Sequence, residues 1–307
     1  MSKNIELPDG VSVFERGWLS ANNILLCDHD QATLIDSGYV THQSQTLSLL
    51  ERSLGTRSLD LLVNTHLHSD HCGGNQALQA HYPDMQTWIP PGQSLAVACW
   101  EEDALSYKPT GQNCPPFKFN AILQPGAVHH WARMDWEVHA APGHDPHSVI
   151  LFAPEQSLLV SADALWQNGF GVVFPELQGI DAFDEVSATL DLIENLNPAI
   201  IIPGHGSVFM DVASALSLAR KKLDVFIKNP ERHASYGVKV LLKFKLLEWG
   251  SINRLDFDQW SKDVPYLNDL HHRFGHGYTL STWIDMMLAE LQRSGAVSVE
   301  EGFLHNT

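Results

Sequence analysis

The sequence has no long apolar run and few cysteines. Nowhere do about 18 uncharged apolar residues follow one another, and the start MSKNIELPDG has no basic segment followed by an apolar one. We therefore expect neither a membrane span nor export, and we predict a cytoplasmic protein. Four cysteines in 307 residues are too few and too irregularly spaced for a disulfide framework. We expect them to be reduced and packed.

Basic residues are scarce in the first two thirds of the chain. Residues 1–212 carry 7 Lys and Arg against 25 Asp and Glu, whereas residues 213–307 carry 12 against 11. An acidic surface repels polyphosphate, so we expect a small-molecule substrate and no nucleic acid. With 44% apolar residues, the chain is long enough for one large domain or for a core domain with a smaller appendage.

The first two hundred residues alternate short apolar stretches with helical patterns. The stretches predict strands at 11–16, 23–28, 32–37, 59–65, 87–90, 136–142, 148–154, 157–163 and 199–203. Two segments, 41–54 and 183–196, space their apolar residues three and four apart, as amphipathic helices do. This order predicts an α/β layered fold. The first strands look hairpin-linked and antiparallel, so we expect a mixed sheet.

The pattern becomes helical after about residue 211. Helices are predicted within 211–229, 236–249 and 279–295, followed by a hairpin over 296–304. We therefore predict two domains, 1–212 and 213–307, the second resembling a winged-helix module. Its candidate recognition helix, TLSTWIDMMLAELQRSG, has one Arg, one Asp and one Glu. DNA-binding versions are usually basic there, so packing or homodimer formation is favoured over nucleic-acid binding.

The stretch NTHLHSDHCGGN crowds ligand-type residues at the end of a predicted strand. His66 and His68 are two apart and point to the same side of an extended chain, so both can reach one ion. Asp70 and His71 come where the chain turns towards a helix, and they can face a neighbouring point. The glycine pair 73–74 lets the backbone pass close to the site.

Three further candidates, His144, Asp163 and His205, each come just after an apolar strand. Side chains at strand ends of a layered α/β protein converge on a shared rim. A lone histidine at a strand end is most often only a hydrogen-bonded residue. With the motif they make a set of five histidines and two aspartates at one rim, which ordinary core packing does not require.

The pattern H-x-H-x-D-H, followed by a separate His, Asp and His, resembles the signature of the metallo-β-lactamase superfamily over residues 11–210. The start THLHSDHCGG and the helical C-terminal part are similar to the glyoxalase II branch. The resemblance implies a four-layer αββα sandwich, with the C-terminal part as a winged-helix-like appendage.

The same resemblance implies a binuclear metal-dependent hydrolase. One ion would be held by His66, His68 and His144, the other by Asp70, His71 and His205, with Asp163 bridging them. Imidazoles and carboxylates suit zinc, and iron or manganese accept the same ligands. A hydroxide between two divalent ions would attack the substrate. By analogy with other members, Asp70 is also a candidate catalytic residue that relays a proton to the leaving group.

Two further residues are weaker candidates. Asp36 in LIDSG resembles the superfamily's Asp-x-Gly element and is expected to orient a ligand histidine, with a simple turn role as the alternative. His147 is expected either to touch substrate or to cap a turn. The cluster HHRFGHG at 271–277 is interpreted as a surface loop.

The substrate must be inferred from loops. The aromatic segment 164–179 and a lid-like segment, 101–119, favour an apolar body, so cleavage of an ester, thioester or lactone is predicted. The alternative is that these aromatics only pack the loop. β-Lactam or phosphodiester hydrolysis stays open, as does a metal-binding regulatory or DNA-binding protein.

Overall fold

The computed structural model describes residues 5–307. The first four residues of the start segment, from which the absence of an export signal was expected, lie outside the described part. Among residues 5–307, no helix is both long and apolar enough to cross a membrane.

Two sheets form the centre of the fold. The first contains β1 (Val11–Phe14), β2 (Asn23–Cys27), β3 (Ala32–Ile35), β4 (Leu61–Val63), β5 (Gln86–Ile89) and β6 (Ala121–Ile122), in that order. Strands β1 to β3 pair antiparallel and β3 to β6 pair parallel, which confirms the predicted mixed sheet.

The second sheet has five strands. They are β7 (Val128–Trp131), β8 (Met134–Ala140), β9 (Val149–Ala153), β10 (Leu158–Ala162) and β11 (Ile200–Pro203), in the spatial order β11-β10-β9-β8-β7. Only the β10–β11 pair among them is parallel. The sequence reading missed β6 and β7.

The helices are α1 (Gln43–Leu54), α2 (Ser69–Cys72), α3 (Asn75–His81), α4 (Ser94–Cys99), α5 (Tyr107–Thr110), α6 (Phe174–Gln178), α7 (Phe183–Leu196), α8 (Val212–Lys228), α9 (Pro230–Trp249), α10 (Arg254–Asp263), α11 (Pro265–Phe274) and α12 (Leu280–Arg293). A 3₁₀ turn at Val40–His42 precedes α1. Helix α7 has the predicted bounds. It buries Val186, Leu190 and Ile193 at helical spacing, and its C-cap, Asn197, is left-handed with φ 50°.

Three apolar layers hold four layers of secondary structure together. Trp136, fully buried, lies in the core between the two sheets. Leu50 and Leu78 of α1 and α3 pack on the outer face of the first sheet. Leu190 and Leu223 of α7 and α8 pack on the outer face of the second. The helix–sheet–sheet–helix order confirms the expected αββα sandwich.

The C-terminal region contains α9, then β12 (Ser251–Asn253), the helices α10 to α12, and the hairpin β13 (Val297–Glu300) and β14 (Phe303–Asn306). Strand β12 joins the hairpin, giving a small sheet of order β12-β14-β13. A helical C-terminal region was predicted correctly, but α10, α11 and β12 were missed.

The core of this region is continuous with the rest of the protein. Leu242, Ile284 and Leu304 pack in one cluster with Val172 and Leu177, which come from the loop after β10 and from α6. The division at 212/213 therefore stays a prediction.

Candidate metal centre

The local fold brings the seven predicted ligand residues to one place. Strand β4 ends at Val63, and the chain then passes His66 and His68 before it enters α2, which carries Asp70 and His71. The other three lie in the β8–β9 loop, directly after β10 and just beyond β11: His144, Asp163 and His205.

Three histidines of this set form the first group. Nδ1 of His68 lies 3.0 Å from Nε2 of His66 and 2.9 Å from Nε2 of His144. One ligand atom from each lies within 4.8 Å of the other two. This geometry can hold one ion.

The second group contains Asp70, His71 and His205. Oδ2 of Asp70 lies 3.0 Å from Nε2 of His205 and 3.9 Å from Nε2 of His71. These atoms also lie within 4.8 Å of one another.

The carboxylate of Asp163 lies between the two groups. Its Oδ2 is 3.4 Å from Nε2 of His144, in the first group. Its Oδ1 is 3.5 Å from Nε2 of His71 and 3.8 Å from Nε2 of His205, in the second. One oxygen therefore faces each group, as a bridging ligand requires.

The donor atoms fit divalent cations. His66 and His144 donate their Nδ1–H to Thr65 Oγ1 at 3.2 Å and to Val172 O at 2.5 Å, which leaves each Nε2 lone pair directed into the site. Nε2 of His71 is buried and has no hydrogen-bond partner among the described residues. Imidazole nitrogens with carboxylate oxygens are a ligand set for zinc, iron or manganese.

Asp36 lies behind the second group. Its Oδ2 accepts from Nδ1 of His71 at 2.7 Å and from Oγ1 of Thr65 at 2.8 Å, and its Oδ1 accepts from the Thr65 backbone N–H at 2.9 Å. Asp36 itself is left-handed, with φ 57°. The structure thus places the carboxylate where it was expected, against a candidate ligand histidine.

Burial and charge set the protonation of the site. Burial, with neighbouring imidazoles, holds the pKa of His66 well below its usual value and lowers that of His144 to about 4. Burial also lowers the pKa of His71, but the carboxylates of Asp36 and Asp163 outweigh it and raise that pKa well above the usual value. Neutral imidazole is the form that binds metal.

Two glycines allow this close packing. A Cβ on Gly171 would lie 2.4 Å from Nδ1 of His144, and one on Gly204 would lie 2.2 Å from Oδ1 of Asp163. A side chain at either position would therefore force a ligand-type residue to move. The sequence reading missed them, because only the folded contact shows what each glycine faces.

A cavity of about 350 Å³ opens over the two groups. His147 lines it, and the ring of His147 lies so close to Gly92 that a Cβ there would be 2.2 Å from its Nδ1. The backbone N–H of His147 donates to Oδ1 of Asp145. Asp145, which the sequence reading missed, also has Oδ2 3.8 Å from Nε2 of His68.

Only some residues of each predicted substrate loop line the cavity. Val172 and Phe174 line the cavity, and the Phe174 ring lies 5.0 Å from that of His68. Phe170 and Val173 instead pack in the core against the second sheet. The lid-like segment 101–119 also divides, since four of its residues line the cavity: Ala104, Ser106, Thr110 and Gln112.

Two tryptophans at the cavity mouth extend the site. Trp18 stacks on His205 with ring centroids 5.4 Å apart and planes 10° apart, although 57% of Trp18 is exposed. Trp166 donates Nε1–H to Oδ1 of Asp163 at 3.2 Å. Trp166 lies in the loop that the sequence singled out, whereas Trp18 gave no signal in the sequence.

The cluster at 271–277 is not simply a loop, because His271 and His272 lie in the last turn of α11.

Known proteins share parts of this chain. It is 25% identical over 164 residues to acyl-coenzyme A thioesterase MBLAC2 of Gallus gallus, covering 50% of this chain and 59% of that protein. It is 32% identical over 170 residues to hydroxyacylglutathione hydrolase of Haemophilus ducreyi, covering 55% and 60%. The chain thus spans about three fifths of the length of these relatives.

A solved beta-lactamase domain protein from Burkholderia ambifaria superposes with a TM-score of 0.62 at 18% identity, covering 99% of this chain and 94% of that one. This likeness extends the shared fold through the C-terminal region. The sequence model of the metallo-beta-lactamase superfamily matches residues 16–205, which contain all seven ligand-type residues. The chain therefore belongs to the metallo-beta-lactamase superfamily.

Proposed function

We propose that this protein is a binuclear metal-dependent hydrolase that cleaves an ester, thioester or lactone in a small substrate. The observation that carries the proposal is the position of Asp163, whose two carboxylate oxygens face two separate groups of ligand atoms. One ion alone would not need a carboxylate shared in this way.

The ligand assignment follows from the two groups. We assign His66, His68 and His144 to one divalent ion and Asp70, His71 and His205 to the other, with Asp163 shared and zinc as the preferred metal. Divalent ions held by these residues would supply Lewis acidity and would lower the pKa of bound water towards neutrality. Asp36 acts as a positioning residue, because it fixes the ring of His71 through Nδ1.

Asp70 is the candidate for proton transfer. Its side chain is 14% exposed, more than that of Asp163 at 6%, and it lines the cavity. A carboxylate at the cavity surface and beside the nucleophile can carry a proton to the leaving group. His147, on the cavity wall, is assigned to substrate contact.

The cavity wall favours acyl compounds. Val172, Phe174 and Tyr266 line it and provide apolar surface for an acyl group. Asp145, Asp181 and Glu185 also line it and would repel the phosphate of a diester. The names of the two relatives, a thioesterase and a hydroxyacylglutathione hydrolase, agree with this ranking. β-Lactam and phosphodiester hydrolysis follow as alternatives.

The test begins with metal content and a substrate panel. Protein loaded with zinc, iron or manganese should bind two equivalents and hydrolyse p-nitrophenyl esters, thioesters or lactones faster than β-lactams or phosphodiesters. His68→Ala should lose at least about a hundredfold in rate, by the usual cost of removing a catalytic metal ligand. His130→Ala, on an exposed ring paired with Asp135, is the matched control and should keep the wild-type rate.

The same proteins test the regulatory alternative. Mixed DNA fragments should migrate unchanged in an electrophoretic mobility assay with the metal-loaded protein. Two bound equivalents without hydrolysis of any substrate class, together with retention of DNA, would contradict the hydrolase proposal and favour the regulatory one.

A further inference from the structure

A second cavity, of about 740 Å³, lies beside the metal centre. Helix α9 supplies one wall through Tyr236, Val240, Phe244 and Leu247, which follow one another at helical spacing. The C-terminal end of α12 supplies the opposite rim. We call this cavity the α9 groove. Its volume lies in the range of sites that bind drug-sized ligands.

The α9 groove is continuous with the site cavity. Four residues line both: Trp18, Trp166, Val240 and Phe244. The two tryptophan rings meet edge to face with centroids 5.4 Å apart. Since Trp18 also stacks on His205, the wall of the groove reaches the metal centre itself. An extended molecule could therefore occupy both cavities at once.

The two cavities differ in charge. Asp145, Asp181 and Glu185 line the site cavity in addition to the ligand carboxylates. The α9 groove is lined by three cations and one carboxylate: Lys239, Lys243, Arg293 and Glu290. This cationic rim is unusual in a chain whose formal net charge is −17.

The cations of the rim are unequally engaged. Lys239 forms an ion pair with Glu290 at 2.7 Å. Lys243 donates to the backbone oxygen of Ala296 and to an oxygen of Thr307, the last residue of the sequence. Arg293 is exposed and has no side-chain hydrogen bond or ion pair among the described residues. Arg293 thus has no carboxylate partner among the described residues, and Lys243 has no partner on a carboxylate side chain.

We propose that the α9 groove binds the apolar chain of an amphipathic, anionic substrate, with the anionic group at Arg293 and Lys243 and the scissile bond at the metal centre. The apolar wall fits the apolar chain of the substrate. The charge difference between the two cavities sets the orientation of the substrate, because its anionic group is attracted to the α9 groove and repelled by the site cavity. This inference rests on the proposed function and narrows its substrate class.

A binding experiment tests the groove apart from catalysis. Isothermal titration calorimetry of the metal-loaded protein with dodecyl phosphate, below its critical micelle concentration, should show one site. Ser294→Trp places a large ring in the groove from the end of α12 and should weaken binding at least about tenfold, equal to about 1.4 kcal/mol. Gln292→Trp, two residues away on the exposed surface and outside the groove, should leave the affinity within about twofold.

Charge and metal dependence are tested separately. Arg293→Glu should lower the affinity for dodecyl phosphate by about tenfold, because it reverses the charge at the proposed phosphate position. Dodecyltrimethylammonium should bind more weakly than dodecyl phosphate to the wild-type protein. His68→Ala should retain dodecyl phosphate binding, since the phosphate is assigned to the rim and not to the metal ions.

Hydrolysis gives the second readout. Rates on p-nitrophenyl esters of two to twelve carbons should rise with chain length in the wild type, and Ser294→Trp should remove this rise. Binding of dodecyl phosphate without hydrolysis of any ester would contradict the proposed function but would leave the groove assignment intact. Hydrolysis without chain-length dependence, or dodecyl phosphate binding unaffected by Ser294→Trp, would overturn the groove assignment. A dimer that Ser294→Trp converts to monomer would overturn it too, by showing that a second copy covers the groove.

Discussion

The Nδ1 atom of His71 donates a hydrogen bond to Oδ2 of Asp36 at 2.7 Å, and both side chains are almost fully buried. In the neutral ring, which is the form that binds metal, Nδ1 carries the proton and the lone pair of Nε2 is directed into the cluster of candidate ligands. Two further bonds from Thr65 hold the carboxylate in place. Asp36 thereby controls both the tautomer and the orientation of His71.

Replacement of this carboxylate should weaken metal binding. In Asp36→Asn the amide can still accept from Thr65, but its NH₂ group would face His71 Nδ1 and favour the proton on Nε2, the atom directed into the site. We expect metal affinity to fall by about 10- to 100-fold. Competition with a coloured chelator measures this fall.

Asp60→Asn is the matched control for that experiment. Asp60 also accepts a backbone N–H, from Ala32 at 2.8 Å, but it lies before β4, at the opposite end of the strand from the ligand motif. Asp60→Asn should bind metal with the affinity of the wild type. Equal affinity in Asp36→Asn would show that His71 needs no carboxylate behind it.

A methyl group at residue 171 should damage the site without removing any ligand. Gly171→Ala places a Cβ 2.4 Å from Nδ1 of His144, so the ring must shift and loses its bond to the Val172 carbonyl. We expect metal affinity to fall by about tenfold or more. Equilibrium dialysis followed by elemental analysis measures the bound metal.

Gly17→Ala is its control, because nothing lies within 4 Å of an added Cβ there and the backbone φ is not positive. This variant should bind metal as the wild type does. If Gly171→Ala also binds normally, then the His144 ring has room to move, and the close packing around it has no part in metal affinity.

A buried ion pair lies where the lid-like segment contacts α9. Nζ of Lys245 lies 2.5 Å from Oε2 of Glu248, with each side chain 6% exposed, and Oε1 of Glu248 accepts from Nδ2 of Asn113. Glu248→Gln leaves the Lys245 charge uncompensated. We expect it to lower the free energy of unfolding by about 3–5 kcal/mol in urea titrations.

The double variant Lys245→Met/Glu248→Gln separates the charge effect from the loss of packing. Removal of both charges should restore most of the lost stability, because no buried ion remains without a partner. A double variant as unstable as Glu248→Gln alone would mean that the contact with Asn113, and not the charge of Lys245, determines the loss.

The sequence predicted the seven ligand-type residues because their signals are local. All seven come just after predicted strands or within one six-residue motif, and strand ends in a layered α/β fold share a rim. Helix α7 was predicted to the residue from its apolar spacing, and its acidic first turn agrees with a helix start there. That the seven ligand-type residues bind metal stays a prediction.

The residues that the sequence did not predict act through contacts between distant parts of the chain. Trp18 looks like an ordinary loop residue until the fold brings His205 beneath it. Gly171 is informative only once His144 lies against it. Strand β7 was missed because VHHW lacks the alternation of a half-buried strand, and α10 because RLDFDQWSKD is mostly polar.

A buried histidine makes the stability of the protein depend on pH. His233 is buried on α9, where its Nε2 accepts the backbone N–H of Val173 at 3.3 Å. Burial, with a smaller contribution from the charge of Lys222, lowers the pKa of His233 from 6.5 to about 4. His233 is therefore protonated near pH 6.5 in the unfolded chain but only near pH 4 in the folded protein.

Stability should accordingly fall as the pH decreases from about 6.5 to about 4 and change little below that range on account of this residue. At 1.36 kcal/mol per pKa unit, His233 contributes about 3 kcal/mol to the fall. His233→Gln keeps an acceptor for Val173 but cannot take up a proton, so its urea midpoint should decline less steeply than that of the wild type. Parallel profiles of the two proteins between pH 7 and pH 4 would show that His233 is protonated as readily in the folded protein as in the unfolded chain.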